Sequence, residues 1–249
     1  MVIKTLVENT SVSDDFNHEH GLSLYIETKR YKILFDLGAS TLLFENAKKM
    51  EVDISDVDLV VISHGHYDHG GGLKAFLDAN SKAKIYLHQK AFNEYYANRP
   101  GREKVYIGLD KELLPNDRFV FTKDYYRIDD GLELFSGVKS RRLNPTGNKD
   151  LFMKYDGCMV NDDFTHEQNL IIKEGRETVL FAGCAHNGIV NIIEHFNNIK
   201  NSLPSHVIGG FHLYNRAENK YEDSSLVSQI GEFLKKTGSM YYTGHCTGI

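Results

Sequence analysis

The chain has 249 residues, 41% of them hydrophobic and 25% charged, with a net charge of -5. This is the composition of a soluble globular chain long enough to bury a core. It lacks the basic surplus that would point to nucleic acid or an anionic membrane as partner. Three cysteines, Cys158, Cys184 and Cys246, with no C-x-x-C spacing argue against a disulfide framework or an iron–sulfur cluster bound by this chain alone, and fit a reducing cytoplasm. The N-terminal apolar run is short and interrupted by an acid, unlike a signal peptide, and no stretch approaches the roughly 20 apolar residues of a membrane span.

Residues 2–7, 22–28 and 31–35 read as strands, with Lys29-Arg30 as a hairpin tip and Asp36-Leu37-Gly38 as the exit from the third. Residues 41–50 have helical spacing, aligning Leu42, Leu43, Ala47 and Met50. Residues 57–62 form a continuous apolar run, the signature of a strand buried on both faces. A helix is expected at 72–79 and a short strand at 84–87. Residues 90–150 are less regular and read as an insertion or lid within a single domain spanning 1–249. Strands are expected again at 169–173, 178–182, 205–209 and 240–243, and helices at 189–196 and 224–237. Strands predominate, with helices in both halves, which implies two packed sheets with helices outside.

Directly after the buried strand at 57–62 comes His64-Gly65-His66-Tyr67-Asp68-His69. Alternate residues of an extended segment face the same way, so His64 and His66 can share one metal. Asp68 and His69 lie where the chain turns into a helix and can face a second. Gly65 and Gly70-Gly71-Gly72 permit a tight backbone path. Imidazole and carboxylate together suit zinc, and also iron, manganese or nickel. Solvated loop histidines are the alternative, but three histidines and an aspartate straight after a core strand have no structural need to converge.

The pattern His64-x-His66-x-Asp68-His69 resembles the H-x-H-x-D-H signature of the metallo-β-lactamase superfamily, and residues 21–38 and 57–63 resemble that superfamily's first hairpin and lead-in strand. The resemblance implies an α+β fold, a four-layer αββα sandwich of two mixed sheets flanked by helices. It implies further ligands in the second half: His166 ahead of a hairpin and His245 after the last strand. The first metal would take His64, His66 and His166, and the second Asp68, His69 and His245. The chain departs from the pattern at Cys184, where the superfamily places an aspartate that bridges the two metals. Cys184 either ligates as a thiolate or is a small buried residue. The segments 183–191, 209–213 and 243–248, together with His18-Glu19-His20-Gly21, are similar to a branch named for a dihydropterin–ribofuranosyl-aminobenzene-phosphate synthase.

His186 and His212 each follow a glycine-bearing strand exit and are candidate catalytic groups beside Asp68, the alternative being a structural histidine. Arg99 and Arg102 lie in the expected lid and could meet a phosphate, although solvated loop charge is the commoner role. The expected activity is that of a metal-dependent hydrolase with one or two divalent ions, zinc foremost, which activate water against an ester or phosphoester. The expected partner is a small molecule, with or without a phosphate group, rather than nucleic acid or membrane, and the sequence does not specify oligomeric state. A synthase-type transferase is the second reading. A di-iron redox protein is the third, disfavoured because His66 stands where such relatives carry an acid.

Overall fold

The computed structural model describes residues 1–248, Glu103 through its backbone only. In chain order the strands are β1 (Val2–Val7), β2 (Ser23–Glu27), β3 (Lys32–Phe35), β4 (Leu59–Val61), β5 (Lys84–His88), β6 (Tyr95–Arg99), β7 (Arg102–Tyr106), β8 (Phe119–Thr122) and β9 (Tyr125–Arg127). They continue with β10 (Leu132–Phe135), β11 (Leu151–Tyr155), β12 (Cys158–Asn161), β13 (Asn169–Glu174), β14 (Glu177–Ala182), β15 (His206–Gly209), β16 (Tyr214–Asn215), β17 (Lys220–Tyr221) and β18 (Met240–Thr243). The α-helices are α1 (Leu42–Lys49), α2 (Tyr67–Gly70), α3 (Leu73–Ala79), α4 (Ile189–Lys200) and α5 (Ser224–Thr237). Every strand and helix expected from periodicity outside residues 90–150 is present, with bounds shifted by at most a few residues.

The chain divides into two units. One comprises Met1–Asn93 and Gly108–Lys123, the other Glu94–Ile107 and the chain from Asp124 onward. The first unit holds a mixed sheet ordered β1-β2-β3-β4-β5-β8, antiparallel as far as β3 and parallel from β3 to β8. Leu59, Val60 and Val61 are all buried, which is why β4 reads as an unbroken apolar run rather than an alternating one. Leu43 and Ala47 of α1 and Leu73 and Phe76 of α3 pack with Leu34, Val60, Ile62 and Ile85 in one core.

The second unit holds a mixed sheet ordered β18-β15-β14-β13-β10-β9, in which β14, β15 and β18 run parallel. Its core joins Ile171, Leu180 and Val207 to Ile189, Ile192, Ile193 and Phe196 of α4. Asp223 caps α5 by accepting from the Ser225 and Leu226 amides, and Gly238 ends the helix in the left-handed region at φ 73°. A four-stranded sheet, β12-β11-β6-β7, completes this unit around Tyr95, Ile107, Leu151 and Phe164.

Residues 90–150, expected as one irregular segment, are shared among three sheets. β8 is the edge of the first, β9 and β10 belong to the second, and β6 and β7 to the four-stranded one. No helix among the described residues is long and apolar enough to cross a membrane.

The glycine run after the histidine cluster serves close approach. A Cβ on Gly71 would sit 2.2 Å from the Ala39 carbonyl oxygen and one on Gly72 2.5 Å from that of Leu37, while Gly71 itself has an ordinary φ of -62°. The loop leaving β3 and the turn of α2 therefore touch backbone to backbone, with Gly71 N–H donating to Gly38 and Leu37 N–H to His69. A Gly71→Ala substitution should push these segments apart and cost about 2 kcal/mol, read as a lower urea midpoint with unchanged m-value.

Candidate metal centre

In the first unit the site begins where two parallel neighbours, β3 and β4, release the chain at their carboxyl ends, the edge at which open α/β sheets bind ligands. His64, His66 and His69 are 0%, 4% and 0% exposed, and Asp68 is 7% exposed. The His64 ring centroid lies 4.5 Å from that of His66 and 4.1 Å from that of His69.

Asp36 organises this cluster. It sits just past β3 at φ 61°, a left-handed conformation that aspartate tolerates better than most residues. Its Oδ1 accepts from the Ser63 amide at 2.7 Å, and its Oδ2 accepts from Ser63 Oγ at 2.7 Å. The same Oδ2 lies 2.7 Å from His69 Nδ1. Because the Ser63 hydroxyl proton is committed to Asp36, its oxygen accepts from His64 Nδ1–H at 2.9 Å. Both imidazoles thus carry their proton on Nδ1, and in their neutral forms Nε2 holds the lone pair that a metal requires. His69 Nε2 is 3.5 Å from Asp68 Oδ2, and His20 Nε2 is 3.4 Å from the same oxygen. Burial opposes positive charge on His69, yet the carboxylates of Asp36 and Asp68 prevail and push its pKa up to about 10. The donor set and its field thus both suit a cation. Asp36, Ser63 and His20 take part although the H-x-H-x-D-H pattern does not include them.

In the second unit three adjacent parallel strands end in register, Ala182 beside Gly209 beside Thr243. Cys184, His212 and the pair His245-Cys246 follow these ends, so sheet topology alone gathers them. His245 Nε2 lies 3.2 Å from Cys184 Sγ. The His212 amide donates to Cys246 Sγ at 3.3 Å, and the Cys246 thiol donates to the Cys184 carbonyl at 3.6 Å. Burial pushes the Cys246 thiol up, but hydrogen bonding with Cys184 and the adjacent imidazoles of His245 and His212 bring it well below its ordinary value.

His166 precedes β13, is fully buried, and stacks on Tyr95 at 4.0 Å with its Nε2 3.1 Å from Asp162 Oδ2. Asp162 was not legible as a candidate, because an acid four residues before a histidine in an irregular loop carries no signal that the two will meet. His186 stacks on Phe164 at 4.5 Å and lies 4.3 Å from the His212 ring. Asn148 Nδ2 donates to the His186 carbonyl at 2.7 Å, which orients the amide so that Oδ1 accepts from His186 Nδ1–H at 3.0 Å. His186 Nε2 is therefore the basic nitrogen in the neutral ring, and a donor only when the ring is charged.

Glu167 is the buried clamp of this loop. Its oxygens accept from the His186 amide at 2.6 Å, the Asn187 amide at 3.0 Å and Asn187 Nδ2 at 2.8 Å. Burial raises its pKa despite those donors. Arg99 and Arg102 lie apart from these groups, paired across the open tip of the β6–β7 hairpin. Four residues of strand, about 13 Å, separate Arg99 from Tyr95.

A family model described as the metallo-beta-lactamase superfamily matches residues 17–149. The chain belongs to this superfamily. An uncharacterised protein of Methanocaldococcus jannaschii is 31% identical over all of this chain and 91% of its own length. The same organism's 7,8-dihydropterin-6-methyl-4-(beta-D-ribofuranosyl)-aminobenzene-5'-phosphate synthase is 31% identical over 99% of this chain and 87% of its own. A crystal structure described as a metal-dependent hydrolase of the beta-lactamase superfamily superposes with a TM-score of 0.81 at 30% identity, covering 99% of this chain and 88% of that one. The fold is accordingly the metallo-β-lactamase fold, with mixed sheets and a few helices, and the resemblance to the synthase branch holds along essentially the whole chain.

Removing the Glu167 carboxylate would strand three buried N–H groups. Glu167→Ala should cost about 3 kcal/mol or more in urea unfolding of the metal-free protein. A cost below about 0.5 kcal/mol would show that the loop does not depend on this clamp.

Proposed function

We propose that the chain is a metal-dependent hydrolase of a small-molecule ester or phosphoester. Its candidate ligands are those that the superfamily resemblance implies. His64, His66 and His166 would hold one divalent ion, and Asp68, His69 and His245 a second, with Cys184 in the place of the bridging aspartate. The observation that carries this reading is the Asp36–Ser63 arrangement, which fixes the Nδ1–H tautomer of both His64 and His69. Two buried imidazoles oriented by one buried carboxylate match what metal-ligating histidines need. Zinc suits the donors best, with manganese, iron and nickel as alternatives.

When bound, the divalent ion supplies Lewis acidity and lowers the pKa of water. The chain's own groups manage the proton and the developing charge. Asp68 takes up the proton of the attacking water, and half-buried His20, beside Asp68 Oδ2, passes it toward solvent. His186, charged on both nitrogens, donates from Nε2 to the leaving oxygen, and His212 stands beside it as a second donor. The paired arginines at the β6–β7 tip would receive a phosphate group, with that hairpin and its neighbouring strands as the lid.

The test is a panel of esters and phosphodiesters assayed with zinc and manganese. Asp68→Ala should lower kcat by 10²-fold or more while the unfolding free energy stays within about 1 kcal/mol of the parent. Undiminished turnover in Asp68→Ala would remove Asp68 from the mechanism. Asp36→Asn should weaken metal affinity roughly 10–100-fold, read by competition with a chelating dye.

A second reading is favoured by the 31% identity to the named synthase over nearly the whole chain. There the same centre would polarise a substrate for transfer rather than assist water. A product assay with a dihydropterin and a ribosyl-aminobenzoate phosphate donor separates the two. Product formation there without hydrolysis across the panel would establish transfer.

A further inference from the structure

Cys246 has no place in the centre described above, yet it lies buried against groups that do. The Sγ atoms of Cys184 and Cys246 and a ring nitrogen of His212 all lie within 4.8 Å of one another, inside the second unit alone. Zinc–sulfur bonds near 2.3 Å and zinc–nitrogen bonds near 2.0 Å set tetrahedral ligand atoms about 3.5–3.8 Å apart, so small side-chain adjustments close these three on one ion. His212 Nδ1 is buried and finds no hydrogen-bond partner among the described residues.

The backbone makes room for this arrangement. A Cβ on Gly210 would lie 2.5 Å from Cys246 Sγ, so the thiol reaches its place only because residue 210 is glycine. A Cβ on Gly209 would lie 1.7 Å from the Ala182 carbonyl oxygen, which fixes the close pairing of β14 and β15 that aligns residues 184 and 212. Ala185, His212 and His245 all adopt left-handed φ angles between 52° and 53°. Non-glycine residues held this way at the ends of three neighbouring strands point to a functional constraint on the loops.

We infer that Cys184, Cys246 and His212 form a thiolate-rich site for a thiophilic ion such as zinc, cadmium or cobalt, one that shares Cys184 with the proposed imidazole–carboxylate centre and draws Cys246 and His212 from outside that centre's ligand set. Binding replaces two thiol protons, which leave to solvent, with one divalent cation, so the site's charge is unchanged. The protein supplies three ligands, and His245, whose Nε2 lies 3.2 Å from Cys184 Sγ, stands next to the fourth position. His212 then serves as a ligand, and His186 remains the proton donor of the proposed hydrolase. Two sulfurs select against magnesium, calcium and manganese, which favour oxygen.

The site is tested on the full, reduced chain titrated with cobalt(II), followed by thiolate-to-cobalt charge-transfer absorption. The inference predicts a band that falls to about half in Cys184→Ser and in Cys246→Ser and vanishes in the double variant. Ligand-field bands from an imidazole–carboxylate centre should persist in Cys246→Ser, which removes none of that centre's proposed ligands. His212→Ala should keep the charge-transfer band and weaken cobalt affinity at least about 10-fold. Loading the unmodified chain with ¹¹³Cd checks the sulfur count by NMR without any substitution that could disturb folding. A cadmium resonance with two sulfur ligands supports the site. An unchanged band in Cys246→Ser, a resonance with one sulfur or none, or the absence of charge transfer after full reduction overturns it. None of these measurements reads turnover, so the hydrolase reading can fail while the thiolate site stands, and the reverse.

Discussion

The buried carboxylate of Asp36 is the constraint on which the first unit's site depends. Both its oxygens are committed, to the Ser63 amide and hydroxyl and to His69, and all of these groups lie out of solvent. A buried anion survives only with strong donors around it, and here the donors are the residues that open and close the ligand loop. Removing that charge would release the tautomers of two histidines at once, because Ser63 passes the constraint on to His64. The left-handed backbone at Asp36 is the local cost of pointing this side chain back beneath the loop.

The second unit solves the same problem with a different residue. Glu167 is fully buried and holds the 186–187 backbone through two amides and a side-chain amide, as Asp36 holds Ser63. In each unit a carboxylate leaves or approaches one strand and grips the loop that follows another, and the loop carries the candidate ligands. Short loops at strand ends are the part of a sheet protein least fixed by sheet hydrogen bonds. A charged grip of this kind is what allows such loops to hold imidazoles at fixed angles rather than on average.

Much of this could be read from local pattern. The apolar run before His64 gave β4, and the spacing of His64, His66, Asp68 and His69 gave the cluster, because each is written within six consecutive residues. The role of Cys246 was not legible, since it depends on three strand ends meeting in register, a consequence of sheet order. Asp162 and Glu167 were hidden for a related reason: an acid beside a histidine in sequence says nothing about which backbone it will accept from after folding. His20 was noted only as part of a motif, and its approach to Asp68 follows from the chain crossing back over Gly21, whose Cβ would lie 2.7 Å from the Asp68 carbonyl oxygen. Residues 90–150 lacked periodicity because the segment is divided into short strands, each serving a different sheet, so no window is long enough to show one period.

A thiol at Cys184, where the superfamily resemblance leads one to expect a bridging aspartate, would also have a physical consequence beyond affinity. A carboxylate can span two cations with two hard oxygens, whereas one thiolate offers a single soft atom. In the second unit the sulfurs of Cys184 and Cys246 follow β14 and β18, beside the imidazoles of His212 and His245. Glycine at 210 and the left-handed backbone at 212 and 245 are features that a merely tolerated cysteine would not require, because a small buried thiol packs on an ordinary loop. The sulfur cluster is therefore better explained by selection for its chemistry than by filling of space.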